Sequence, residues 1–447
     1  MRELGPFLYL PIEIWAREYH AKSLLAVQAA SRGWSVVIGS KSALSQRLPR
    51  LPQGTVFQFG LHKNFSPGMA QLKAAGHKVV AVDEEGLVTL NPEHYKRYRV
   101  SAEALNNSDA CFCWGEVQHR MLSDVNDLDR CSLHITGNPR MDLLRPEFRD
   151  LVDREASAIK RRYGRFLLLN GNFGSFNHAM GIDYTWKSLK SKGWMLSLED
   201  ADFHRRRVLL QGRIFNAFQK AIPSLVAAGH KIIVRPHPSE SLVPWQKLSK
   251  QLGDKVTVIR EGNIVPWLQA ASVVLHNGCT TAVEAFVLGR PVVAFRPERH
   301  PDLESELPNR ISLQAGSESE LIALLADIAI EDQRSRKTRE EYAQSYLAGL
   351  TGSMSSERMV DALPRVEIKD TTRKLDDLGA TFREWAFAMR KSVSRLAHRK
   401  SATYVDLKCG DIVLEETQDI IVDYARRLGI QKSIPVKSIG NGLILIG

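Results

Sequence analysis

Short apolar runs recur along the chain, and most are followed by a stretch whose apolar positions fall three and four residues apart. Runs of that length bounded by turn residues predict buried strands, and the longer periodic stretches predict amphipathic helices. Strands are expected at Phe7–Pro11, Ser35–Gly39, Val56–Phe59, Val79–Val82, Ala110–Cys113 and Leu133–Ile135, with a helix over Ala16–Arg32. The pattern stalls over the charged stretch Asp142–Arg162 and then resumes. Strands follow at Phe166–Leu169, Lys231–Val234, Val256–Ile259, Ser272–Leu275 and Val292–Phe295, with helices at Val208–Ala228, Val265–Ala270, Thr280–Leu288 and Leu321–Ile328. Strand–helix alternation of this kind predicts parallel sheets covered on both faces. The expected fold class is α/β, with two doubly wound, Rossmann-like domains facing a cleft and a C-terminal extension.

The expected domains are 1–150, 151–360 and a third module over 361–447. In the last, Phe382, Trp385, Met389, Val393 and Leu396 form one apolar stripe on a basic segment. Two readings stand for it: a helix packed back on the domains, or a surface helix over Phe382–Lys400 lying on an anionic membrane. A helix is expected at Thr417–Leu428, with short apolar strands in the same module.

At 447 residues the chain exceeds one ordinary core. Its 44% hydrophobic and 25% charged content is that of a soluble globular protein. Five scattered cysteines form no disulfide framework, and Cys111-Phe112-Cys113 lacks the second pair that zinc requires, so a reducing cytoplasm is expected. A net charge of +11 implies an anionic partner. That charge is spread, with no basic–aromatic platform, which argues against nucleic acid.

Four clusters carry candidate chemistry. Asp83-Glu84-Glu85-Gly86 ends a buried strand; three neighbouring acids repel one another, which favours a raised pKa and a role as base or nucleophile. Asn170-Gly171-Asn172 opens a polar loop after the first strand of the second half, and it is no dinucleotide fingerprint. Arg235-Pro236-His237-Pro238-Ser239-Glu240 puts a guanidinium and an imidazole at a strand end. His276-Asn277-Gly278-Cys279-Thr280-Thr281, with Glu284 one turn on, joins a strand end to a fresh helix N-terminus suited to phosphate. Asp200-Ala201-Asp202 has a metal-binding form but no strand leading into it, so neither a metal nor another cofactor is expected.

With Gly137-Asn138-Pro139-Arg140-Met141-Asp142, these motifs resemble bacterial surface-carbohydrate glycosyltransferases of the GT-B fold, and among them CMP-Kdo-dependent Kdo transferases of capsule, O-antigen and lipopolysaccharide assembly. The resemblance runs over about residues 5–360. It implies a CMP-sugar donor and transfer of an acidic 2-keto sugar to a lipid-linked glycan, on the inner face of the cytoplasmic membrane. It implies an acid among Asp83, Glu84 and Glu85 as base or nucleophile, and His237 at the donor phosphate. Asn170, Asn172, Arg235, Ser239, Glu240, His276, Asn277, Gly278, Thr280, Thr281 and Glu284 would bind the nucleotide or its sugar. Two alternatives stand beside it: a UDP-GlcNAc 2-epimerase-like isomerase, and a non-catalytic nucleotide-sugar-binding assembly protein recruited to membranes.

Overall fold

The computed structural model describes residues 5–125, 130–260, 262–328, 333–366, 412–440 and 442–447. The basic stripe expected over Phe382–Lys400 lies outside them. The described chain forms two compact units. The first holds the residues up to Glu85, then Arg99–Leu143 and the described residues from Leu347 on; the second holds Gly86–Tyr98 and Leu144–Tyr346.

The first unit is built on β1 (Phe7–Ile12), β2 (Ser35–Ser40), β3 (Gly54–Gln58), β4 (Lys78–Val82), β5 (Ala110–Cys113) and β6 (Ser132–Ile135). They lie in the order β2-β1-β3-β4-β5-β6, all parallel. Phe7, Tyr9, Val37 and Val56 pack with Leu44 on one face. The sequence order reverses between β1 and β3, a doubly wound topology.

The second unit is built on β7 (Leu167–Asn170), β8 (Ile232–Arg235), β9 (Val256–Val258), β10 (Val273–His276), β11 (Val292–Phe295) and β12 (Leu313–Ala315). Their order is β12-β11-β10-β7-β8-β9, again all parallel, which is the 3-2-1-4-5-6 arrangement of the dinucleotide folds. The expectation of two doubly wound parallel sheets is met. Phe173, Phe215, Phe218 and Trp245 pack under Leu167, Leu169, Ile232 and Val234. The helix Leu198–Ala227, which supplies the two middle phenylalanines, starts on a capping box: Ser197 Oγ accepts from the Asp200 N–H at 3.0 Å, and Asp200 Oδ2 accepts from the Ser197 N–H at 3.2 Å. Asp200 is thereby a cap, and Asp202 pairs with Arg206 at 2.9 Å.

Two boundaries differ from those expected at 150 and 360. The charged stretch after Leu143 is no linker throughout, because Asp150–Tyr163 is a helix packed on Val265–Ala270. The chain's C-terminal part belongs to the first unit. Asp142, fully buried, accepts from the N–H groups of Ser355 and Ser356 at 2.8 Å each, which caps the returning helix Ser355–Asp361. The helix Leu414–Arg427 packs on Trp15–Ser31, with Tyr19 and Thr417 hydroxyls 2.8 Å apart. The hairpin β13 (Val436–Ser438) and β14 (Leu443–Ile446) adds antiparallel to the free edge of β2. Gly39 permits this, since a Cβ there would stand 2.1 Å from Leu443 Cδ2. Among the described residues, no helix is long and apolar enough to cross a membrane.

Candidate functional site

In the second unit the chain order reverses between β7 and β10, so the loops leaving their carboxyl ends diverge. Open sheets bind ligands in the crevice so formed. Asn170 is the register partner of His276 on one side and of Arg235 on the other. Leu167, Leu169, Val234 and Leu275 face the phenylalanine core, so the two-residue pleat turns Asn170, Arg235 and His276 to the opposite face.

These neighbours differ in what they can offer. His276 is fully buried: its Nδ1 accepts from the Gly278 N–H at 2.9 Å, which leaves the ring proton on Nε2, 2.8 Å from Ser312 Oγ. Ser312 in turn donates to the Pro308 carbonyl at 2.6 Å. His276 therefore shapes the Asn277–Gly278 turn and does not meet a nucleotide as expected. Arg235 donates to the Gly262 carbonyl at 3.0 Å and lies over Trp267, so its guanidinium serves the fold. Glu240, also expected at the donor, has no exposure; it accepts from the His237 and Phe173 N–H groups and from Trp245 Nε1.

That leaves a coherent set at the edge. Glu240 pins the loop that presents His237, which is exposed. Its Nδ1 accepts from the Ser239 N–H at 3.2 Å, so Nε2 carries the proton and acts as a donor. Asn172 and Asn277 clasp across the crevice, the Asn172 N–H donating to Asn277 Oδ1 at 2.9 Å and Asn277 Nδ2 to the Asn172 carbonyl at 3.3 Å. Beyond Gly278, whose φ of +88° favours glycine, the helix Thr280–Val287 begins without a side-chain cap. Thr281 Oγ1 lies 2.8 Å from Cys279 Sγ, and Glu284 is buried one turn in. Two amide oxygens are buried here with no hydrogen-bond partner among the described residues, those of Asn170 (4% exposed) and Asn309 (5%). Asn309 Oδ1 would stand 3.9 Å from a Cβ on Gly278. Nothing local in the sequence singles out Asn309, which folds in from a polar stretch thirty residues downstream.

In the first unit the acid cluster leaves the end of β4. Asp83 is buried and held by Arg99 through both oxygens, Nε at 3.1 Å and Nη2 at 2.5 Å. Trp114 Nε1 donates to the Asp83 carbonyl at 2.7 Å. The Glu85 side chain is 61% exposed between Arg17 and Arg99, each 3.4 Å away. Partial burial pushes its carboxyl up, but the two guanidiniums outweigh this and leave it below the usual range. Glu84 accepts from Asn138 Nδ2 at 3.2 Å and lines a pocket with Lys22 and Arg140 over Phe57 and Val82. The Gly137–Asp142 motif is thus a scaffold: Asn138 caps its own turn through the Arg140 N–H at 3.0 Å and orients Glu84.

Two residues of this pocket escaped the sequence reading. Glu18 and Lys22, buried and 2.9 Å apart, sit one turn apart on the Trp15–Ser31 helix. Burial opposes ionisation of Glu18, yet Lys22 and Arg17 bring its carboxyl down to about 2. Charges on an otherwise Ala/Leu face are the signal that could have found them.

The buried histidines make stability pH-dependent. Burial, with Arg296 adding, lowers His276 to about 3, and burial, with Arg207 adding, lowers His204 to about 4. Both stay neutral in the fold while the unfolded chain protonates near the ordinary value, so their contribution is complete above about pH 6.5. It is lost progressively as pH falls below about 6.5, at up to about 1.4 kcal/mol per pH unit for each ring, and the loss is complete near pH 4 for His204 and near pH 3 for His276. Urea unfolding of the second unit is expected to show about 2–4 kcal/mol less stability at pH 5 than at pH 7. A flat profile would show that these rings are not held neutral.

Among the described residues, no group of three or more His, Cys, Asp or Glu side chains is placed to hold a metal ion. No protein-family model matches the chain, and no curated protein matches it. Among solved structures it is similar to the UDP-GlcNAc 2-epimerase of Methanocaldococcus jannaschii, at 13% identity over 80% of this chain and 98% of that one, TM-score 0.48. It is similar to the UDP-GlcNAc 2-epimerase of Neisseria meningitidis bound to UDP-GlcNAc, at 13% identity over 80% and 99%, TM-score 0.47. A wall teichoic acid polymerase variant matches at 8% identity over 80% and 87%, TM-score 0.44.

Proposed function

We propose that this chain is a GT-B enzyme acting on a nucleotide sugar, and that it transfers an acidic 2-keto sugar, Kdo or a relative, from a CMP donor to a hydroxyl of a lipid-linked glycan. The observation that carries this reading is the presence, at the carboxyl edge of the second sheet on either side of β7, of an uncapped helix start at Thr280 after β10 and an imidazole donor at His237 after β8. Helix N–H groups and a threonine hydroxyl suit a phosphate, and the imidazole N–H beyond β7 adds a further donor at the same sheet edge. Departure of CMP needs that phosphate's charge stabilised, which the helix end and His237 supply without a metal. Asn170 and Asn309 supply buried acceptors for hydroxyl groups of the nucleotide sugar. In the first unit, Glu84 is the carboxylate proposed to take the acceptor's proton, because Asp83 is committed to Arg99 and Glu85 is solvated. The protein is proposed to work in the cytoplasm, against the membrane that carries its acceptor.

The three readings are decided by one experiment on the purified full chain: thermal-shift screening of CMP, UMP and UDP, followed by assays with CMP-Kdo and UDP-GlcNAc. The proposal expects stabilisation by CMP, CMP release that depends on an acceptor, and near-complete loss of turnover in His237→Ala with an unchanged melting temperature. Stabilisation by UDP alone, with conversion of UDP-GlcNAc in the absence of an acceptor, would establish the second reading, an epimerase like two of the structures above. Nucleotide binding without turnover of either sugar would point to the non-catalytic assembly protein.

A further inference from the structure

Between β7 and the Leu198–Ala227 helix the chain makes an excursion through the helix Ile182–Ser191 and the turn after it. Large apolar side chains project into solvent along it: Met180 is 71% exposed, Leu196 84% and Leu198 92%. A loop that serves only as a connection carries polar residues at such places. Lack of order does not account for the exposure, since the segment is tied down. The Trp194 ring lies nearly parallel to that of His204, 5.8 Å away, and the Ser197–Asp200 capping box fixes Leu198 as the first helical residue. Leu196 occupies the position from which a hydrophobic staple would fold inward, and it points out instead.

The surrounding charge identifies the occupant. Lys187, Lys190 and Lys192 are all exposed, and residues 180–198 contain a single acid, Asp183. Exposed aliphatic side chains and exposed lysines within one short segment, with Lys192 over the half-buried Trp194 ring, match the chemistry of a lipid headgroup boundary. A protein surface would match the leucines but gives no reason for the lysines, whereas anionic lipid attracts them. We propose that residues 180–198 of the second unit are a docking surface for an anionic lipid bilayer. This goes beyond the proposed activity and stands or falls separately from it.

The test is co-sedimentation of the full chain with vesicles of phosphatidylcholine alone and with about 30 mol % phosphatidylglycerol. Binding is expected only to the anionic vesicles and is expected to weaken with added salt. Leu196→Asp combined with Leu198→Asp should reduce it on the order of tenfold while the melting temperature is unchanged, since both side chains are solvated in the fold. Charge reversal at Lys187, Lys190 and Lys192 should have a similar effect. Failure of the unaltered chain to bind anionic vesicles would overturn the proposal. So would binding by the double variant at the unaltered level, or concentration-dependent self-association that the double variant abolishes.

Discussion

Replacing Glu240 by alanine is expected to destabilise the second unit by about 3–5 kcal/mol, the largest effect of any single substitution at this site. The carboxylate is fully buried and satisfies three donors: the His237 N–H at 2.9 Å, the Phe173 N–H at 3.1 Å and Trp245 Nε1 at 3.1 Å. Alanine leaves all three facing a cavity, and each buried unpaired donor costs about 1–3 kcal/mol less whatever water recovers. Burial pushes the Glu240 carboxyl up, and these hydrogen bonds oppose that shift. Glu240→Gln retains one acceptor oxygen but turns an NH₂ toward a donor, so roughly half the loss is expected. The change is read from urea unfolding followed by the fluorescence of buried Trp245. A loss below about 1 kcal/mol would show that water replaces the carboxylate.

Gly278→Ala is expected to lower nucleotide affinity roughly 10- to 100-fold, with a smaller effect on the unliganded protein. Space is not the obstacle, because an added Cβ meets nothing closer than Asn309 Oδ1 at 3.9 Å. Backbone strain is the obstacle: at φ +88° a side chain costs about 1–2 kcal/mol. The turn relieves that strain by shifting the Gly278 N–H from His276 Nδ1 and with it the start of the Thr280 helix. Calorimetric titration with CMP and UDP measures the loss. Gly68→Ala is the control, since it lies in the helix Ser66–Ala74 with nothing within 4 Å of a Cβ and should leave affinity unchanged. Equal affinities for Gly278→Ala and the unaltered protein would remove this turn from the binding site.

His237 and His276 show where local reading succeeds and where it ends. Both close an apolar run of the expected length, and both lie at the carboxyl edge of the second sheet. One is exposed and presents Nε2–H; the other is sealed against Ser312, thirty-six residues on. Which way each ring turns depends on the pleat and on what covers that face. The acid cluster divides in the same manner. Its place at the end of β4 was legible, but the commitment of Asp83 to Arg99, sixteen residues later, was not.

Periodicity, glycine and proline punctuation and residue chemistry were enough to read two doubly wound sheets, most of their strands and the strand ends that hold candidate chemistry. These are properties of short stretches of chain, written in spacings of two and of three to four residues. Pairing across long separations left no such trace. The β13–β14 hairpin on β2, the Asp142 cap on Ser355 and Ser356, and the meeting of Asn309 with Gly278 join residues that nothing local distinguishes. The folded chain chose among the candidates because burial and partnership, which separate a structural carboxylate or imidazole from one available to a ligand, are set by residues distant in sequence.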